Sequence, residues 1–356
     1  MPPAEPRSYV SRMAGGPKAL TVDIHCHLLT LEVERLVSSC SEKQAESVAQ
    51  LRMYGAESVE YNRNLLASLI PQLTNISERL RRMDAMGIDM QVISPSPNQY
   101  YYWADVDLAK QIVAAQNEHI ASVCAAHPDR LCGLGNIALQ HPELSVEQLA
   151  DCVGKSGLRG VEISSAVNGI ELSDARFDSF WSKAEELGCL VFIHPLGTSL
   201  GERVNCHYLG NIIGQPLETT IALSHLIFGG VLDRYPRLKI CAAHGGGYLP
   251  SYIGRSDHGF AVRPEAGKIK HKPSEYLKRM YFDSVVYTAE GLRHLIEEVG
   301  ATQVLVGTDF PFDMGAYDPH VHVAAVPGLT EQERDLILGG NAARLLGLDA
   351  GATVVA

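Results

Sequence analysis

No stretch of the chain approaches the roughly 20 consecutive apolar residues that a membrane-crossing helix requires. No two cysteines have the C-x-x-C spacing of a zinc ribbon or a thioredoxin-like redox site. The eight cysteines (26, 40, 124, 132, 152, 189, 206, 241) are scattered, several inside apolar runs such as Gly188-Cys189-Leu190-Val191. They read as reduced, mostly buried small hydrophobes and not as a disulfide framework. Basic residues are in short supply: 30 Lys and Arg stand against 41 Asp and Glu, a formal charge of −11, and they are dispersed. A surface of that sign repels a phosphate backbone, which argues against nucleic acid as a partner. Internal repeats and low-complexity segments are also absent. With 46% hydrophobic and 20% charged residues the composition is that of an ordinary globular protein. The opening Met1-Pro2-Pro3-Ala4-Glu5-Pro6 and the Arg/Ser/Gly residues after it lack the apolar core of a signal peptide, so 1–18 reads as a loose leader and the chain is expected in the cytoplasm.

What the chain does contain is a series of short β-branched or apolar runs at 20–25 (LTVDIH), 90–94, 131–137, 158–164, 189–194 (CLVFIH), 238–244 (LKICAAH), 279–285 and 303–307, eight in all. Stretches of helical periodicity separate most of them, for example 105–126, 176–187 and 288–299, each closed by Gly or Pro. Eight strands alternating with helices predict an α/β fold of the TIM-type (β/α)8 class, a single domain over 19–348 with a tail at 349–356. One spacing is irregular. About sixty residues, from Leu28 to Gly87, separate the first two strands, more than one crossover helix needs. Without Pro/Gly/Ser runs this segment predicts a helical cap, inserted at about 29–78 over the barrel mouth.

Histidine is abundant, with 14 residues, and position sorts them. His25-Cys26-His27 ends the first run, where residues i and i+2 point the same way and can meet one ion. His194 ends the fifth run, His244 the sixth, and Asp309 follows the eighth. In a barrel all C-terminal strand ends converge on one mouth, the usual place for catalytic residues. Imidazoles with one carboxylate suit zinc, with a position left open for water or substrate. The aromatic run Gln99-Tyr100-Tyr101-Tyr102-Trp103 after the second strand, with Tyr102 and Trp103 foremost, is a candidate wall for a planar acid, and Phe310 and Phe312 flank Asp309. Gly197-Thr198-Ser199-Leu200-Gly201 matches the G-x-S-x-G of serine hydrolases, but its HGGG partner, His244 to Gly247, follows the serine where that fold places it before.

The order H-x-H, His, His, Asp at strand ends resembles the metal-dependent amidohydrolase superfamily. The strings from His244 to Arg255 (HGGGYLPSYIGR) and from Gly307 to Phe312 (GTDFPF) are similar to its aminocarboxymuconate semialdehyde decarboxylase branch, as are 79–87 (RLRRMDAMG), 125–130 and 229–239. The resemblance implies one zinc ion per chain on His25, His27, His194 and Asp309, with His244 as acid/base beside a water on that ion and Asp309 sharing in catalysis. It implies that Arg255 binds a substrate carboxylate, reaching across a homodimer interface, and leaves Arg52 and Arg63 as candidates for a second such arginine in the cap. The activity implied is non-oxidative decarboxylation of a muconate-semialdehyde or hydroxybenzoate-type acid. Hydrolysis or hydration of a related carboxylated ring-cleavage product or lactone would use the same ligands, so the ligand set does not separate the two.

Overall fold

Each of the eight apolar runs forms a strand in the computed structural model, which describes residues 20–348; the expected leader at 1–18 and tail at 349–356 lie outside the described residues. The strands are β1 (Val22–Leu28), β2 (Met90–Pro95), β3 (Leu131–Gly133), β4 (Gly160–Ile163), β5 (Leu190–Ile193), β6 (Lys239–Ala242), β7 (Tyr281–Asp283) and β8 (Val304–Leu305). All neighbours pair in parallel, β1 to β3 as one sheet and β4 to β8 as another. Two seams close the ring. A parallel bridge between Gly135 and Val161 joins β3 to β4, and the Ile24 amide donates to the Val306 carbonyl at 2.8 Å, with a bridge between Cys26 and Phe310 above it. The result is the expected (β/α)8 barrel, whose C-terminal strand ends share one mouth.

Between β1 and β2 lie three helices, α1 (Leu31–Val37), α2 (Ser41–Thr74) and α3 (Ile76–Met86). The last is the ordinary crossover helix: Asn75 caps it by accepting from the Glu78 amide, and Gly87 ends it in the left-handed conformation. The other two are the additional segment. α2 buries only Leu69 and Leu73 in its 34 residues, so its own packing does not fix its course. The aromatic run after β2 does much of that: Lys43 donates to the Tyr101 hydroxyl at 2.7 Å, Tyr101 to Glu34 at 2.5 Å, and the Trp103 indole to Glu46 at 2.8 Å. Halfway along, Gly55 leaves helical geometry (φ 77, ψ 165), because there the backbone passes the Asn205 carbonyl so closely that a Cβ would sit 2.0 Å from its oxygen.

Two layers of apolar side chains separate cleanly. Val22, Ile24, Met90, Val92, Leu190, Phe192, Cys241, Ala243 and Leu305 form one cluster, the barrel interior. Alternate strand residues such as Cys26, Ile93, Val191, Ile193 and Ile240 belong to a second, packed under the helices. Strict alternation from Val22 and Ile24 would turn His25 and His27 outward. A register shift between Asp23 and Cys26 moves the pleat by one residue, so both histidines form the next interior layer.

Candidate active site

Four side chains meet above that interior. His25, His27, His194 and Asp309 are all buried, and one ligand atom from each lies within 4.8 Å of every other. The His25 and His27 Nε2 atoms are 3.1 Å apart, and each is 3.2 Å from Asp309 Oδ1. Tetrahedral donors at about 2.0 Å from a common ion stand roughly 3.3 Å apart, so these spacings are those of a coordination shell.

Proton positions support the same reading. His27 Nδ1 faces the Pro95 carbonyl at 3.3 Å, which can only accept, and His25 Nδ1 faces Asp283 Oδ2 at 2.5 Å. Both rings therefore donate from Nδ1 and face each other and Asp309 Oδ1 through Nε2, where a positive charge, a proton on His25 in the free protein or a metal ion, is needed between them. His194 has no hydrogen-bond partner on either ring nitrogen among the described residues although it is buried. A buried imidazole left this way is costly, and a metal ion gives it a partner.

Charge is tuned accordingly. Burial would raise the Asp309 pKa, but His25 and hydrogen bonds from His244, His25 and His27 hold it well below the carboxylate range. Burial and the surrounding imidazoles push His194 well below its usual value, which leaves it neutral and fit to ligate. For His25 burial pulls downward, yet the charges of Asp309 and Asp283 outweigh it and hold the ring well above the ordinary value. In the metal-free protein this ring keeps a proton that an incoming ion must displace. Metal affinity is thus expected to rise with pH from about 6 through neutrality, with protons released on binding. Calorimetry in two buffers of different ionisation enthalpy measures that release; affinity flat across this range would contradict it.

His244 stands beside the cluster and outside it. Its Nε2 is 3.5 Å from Asp309 Oδ2, and its ring packs edge-on against His194 and His25 with centroids 5.0 and 5.2 Å away. By strand alternation it would point outward after Ala243. Instead His244 and the three glycines behind it all take positive φ, turning the chain so that the ring reaches the mouth. Only glycine fits at 247, where a Cβ would lie 2.1 Å from the Pro216 carbonyl oxygen.

Asp283, at the end of β7, is a functional residue that the histidine pattern missed. Besides His25 Nδ1 its carboxylate accepts from the backbone amides of His244, Gly245 and Val285 at 2.9, 2.8 and 3.1 Å. One buried acid thus orients a ligand ring and anchors the turn that carries His244. Glu162, at the end of β4, lies behind the cluster: it accepts from Ser94 and Tyr100 hydroxyls and is 3.8 Å from His27 Nδ1. Burial raises its pKa.

A cavity of about 980 Å³ opens onto His194, His244 and Asp309. Its walls include Tyr54 and Arg63 from α2, Tyr208, Tyr248, Tyr287 and Phe312. Tyr102, Trp103 and Phe310, expected at the substrate wall, do not line it. Tyr102 is buried against Tyr100, its hydroxyl accepting from the Ser164 amide; Trp103 holds Glu46 of α2; Phe310 lies in the core. Of the two cap arginines, Arg63 is at the cavity and Arg52 is not. Arg255, on the helix Leu249–Val262, is exposed and does not line this cavity, and has no ion pair among the described residues: Asp257 is engaged by Ser274 and Glu265 by Arg263. Ser199 is exposed and donates to Glu218, with no histidine on it.

Comparison with known proteins identifies the family and the fold. A family model described as Amidohydrolase matches residues 22–348. A 2-amino-3-carboxymuconate-6-semialdehyde decarboxylase of Dictyostelium discoideum is 37% identical over 273 residues, covering 76% of each chain. The crystal structure of 5-carboxyvanillate decarboxylase LigW from Sphingomonas paucimobilis superposes with a TM-score of 0.82 at 25% identity, covering 93% of this chain and all of that one. A dihydroxybenzoic acid decarboxylase from Polaromonas sp., solved with bound manganese and an inhibitor, shares the fold with a TM-score of 0.77 at 23% identity, covering 95% and 99%. Among the described residues no helix is long and apolar enough to cross a membrane.

Proposed function

Since the chain belongs to the amidohydrolase family, matched over residues 22–348, we propose that it is a metal-dependent carboxy-lyase that removes CO2 without oxidation from a muconate-semialdehyde or hydroxybenzoate-type acid. The observation that carries this reading is a coordination-spaced set, His25, His27, His194 and Asp309, with His244 beside it on a cavity large enough for a ring-sized acid.

The metal is zinc. Three imidazoles and one carboxylate are a donor set suited to zinc, whereas manganese favours carboxylate, carbonyl and water oxygens. An ion held there supplies Lewis acidity toward a substrate oxygen. The remaining work falls to the chain. Arg63 at the cavity draws in the anionic substrate, and the tyrosine and Phe312 walls hold it flat and exclude water. His244 delivers a proton to the carbon bearing the carboxylate. The bond to the carboxylate carbon then breaks, CO2 departs, and the bonding pair returns to the conjugated system. Asp309, 3.5 Å away, holds the imidazolium in line before transfer. Turnover of a panel of hydroxybenzoates and muconate acids by the zinc-loaded protein, abolished by chelation and restored by zinc, is the expected result. Failure on every acid together with hydration or hydrolysis of a lactone would overturn it.

The working unit is a homodimer in the cytoplasm, in which Arg255 completes the partner's cavity. Its exposure without an ion pair, beside Tyr252 at 68% exposure on the same helix, supports this reading. Mixing Arg255→Ala and His244→Ala chains is then expected to recover activity that neither has alone, because mixed dimers contain one intact site. Absence of recovery in verified mixed dimers would place Arg255 in its own chain or outside catalysis.

A further inference from the structure

Arg79 of α3 is fully buried, and no carboxylate pairs with it among the described residues. Burying a lone guanidinium is expensive, and an apolar side chain would serve packing at least as well. Its contacts give a reason for its presence. One terminal nitrogen donates to Gln91 Oε1 at 2.9 Å, the other to the His27 carbonyl, and the guanidinium lies 5.0 Å from the centroid of the Phe310 ring. Gln91 in turn donates to Asp23 Oδ2 at 2.9 Å. Asp23 accepts from the His25 amide at 3.1 Å and from the Thr308 amide and hydroxyl at 3.0 and 2.6 Å.

The buried cation and the buried anion are thus joined through a glutamine, and every end of the relay lands beside a metal-ligand position. Arg79 grips the carbonyl of His27 itself, Asp23 holds the amide of His25, and Phe310 and Thr308 are the chain neighbours of Asp309. The relay also spans the place where the pairing of β1 with β2 shifts register, between Asp23 and Cys26. We propose that Arg79, acting through the His27 carbonyl and through Gln91 and Asp23, is a positioning residue that sets the spacing of His25, His27 and Asp309 and so the affinity of the metal centre.

This inference rests on the reading of that cluster as a metal site, and its test reads the metal directly. Zinc affinity of the full-length protein is measured by competition with a chromophoric chelator, and the cobalt-substituted protein by its visible absorption. Arg79→Met, which removes the charge and both donors, is expected to bind zinc about 10–100-fold more weakly and to shift the cobalt bands, with Arg79→Lys recovering part of the loss. Gln91→Leu removes the bridge alone and is expected to weaken zinc in the same direction; because the relay acts as a unit, the double variant loses less than the product of the two. If Arg79→Met fails to fold, Gln91→Leu decides the question. Folded variants with wild-type zinc affinity and wild-type cobalt spectra overturn the inference while the metal reading stands. A wild-type protein that takes up neither ion overturns both.

Discussion

Replacing His244 by alanine is expected to leave the metal content unchanged and to lower turnover by about 10²–10⁴-fold, the range usual for a lost general acid/base. Retention of the metal follows from the geometry. His244 lies outside the set whose ligand atoms gather within 4.8 Å, and its polar contact with that set is to Asp309 at 3.5 Å. The turn that bears it is fixed by Asp283 through backbone amides, so loss of the ring leaves the turn in place. Loss of turnover follows because the His244 imidazole is on the cavity and outside the ligand set, where it can pass a proton to a bound acid. Elemental analysis paired with kcat measures both halves. Loss of zinc would make His244 a ligand; near-normal kcat would remove it from proton transfer.

The second large effect is expected at Asp283. With Asp283→Asn the Gly245 and Val285 amides keep an acceptor oxygen, and the amide NH2 takes the place of Oδ2, which had accepted from the His244 amide at 2.9 Å and from His25 Nδ1 at 2.5 Å. A donor in that place forces the His25 proton to Nε2, the atom that faces His27 and Asp309, and the ring can no longer ligate without losing it. Zinc affinity is expected to fall by about 10–100-fold, and turnover at limiting zinc with it. Chelator competition gives the affinity, and the thermal shift produced by added zinc gives an independent reading. An unchanged zinc affinity would show that His25 does not need its outer partner.

The barrel was legible because each strand run is long in apolar residues and each ends at a change of composition, so all eight strands appear within a few residues of the expected runs. The histidines were legible for a related reason: strand ends in this fold share one mouth, and His25, His27, His194, His244 and Asp309 all occupy such ends. Asp283 satisfies the same criterion, ending Tyr281-Phe282-Asp283, and a search for any ionisable strand-end residue would have found it. Other features depend on contacts remote in sequence. The shift that brings His25 inward is a matter of pairing between β1 and β2, and nothing in Asp23-Ile24-His25 announces it. The aromatic run after β2 was expected at the substrate because planar side chains suit a planar acid. Its hydroxyls and indole instead meet Glu34, Glu46 and Glu162, acids far away in sequence, so Tyr101 and Trp103 hold α1 and α2 and Tyr100 is drawn beneath the cluster. The tyrosines that do reach the cavity come from α2 and from loops, and Tyr208 and Tyr287 do so in left-handed backbone conformations that composition does not signal.

The chemistry proposed for this site is the breaking of a bond from carbon to a carboxylate with the help of a bound metal. It is tested most directly with substrate acids carrying ¹³C in the carboxylate, incubated with zinc-loaded and with chelated protein and followed by NMR. The label is expected to leave as CO2 and bicarbonate with the zinc-loaded protein alone, at a rate that the His244→Ala variant loses. Label retained in a hydrated or hydrolysed product, or released equally after chelation, would contradict it.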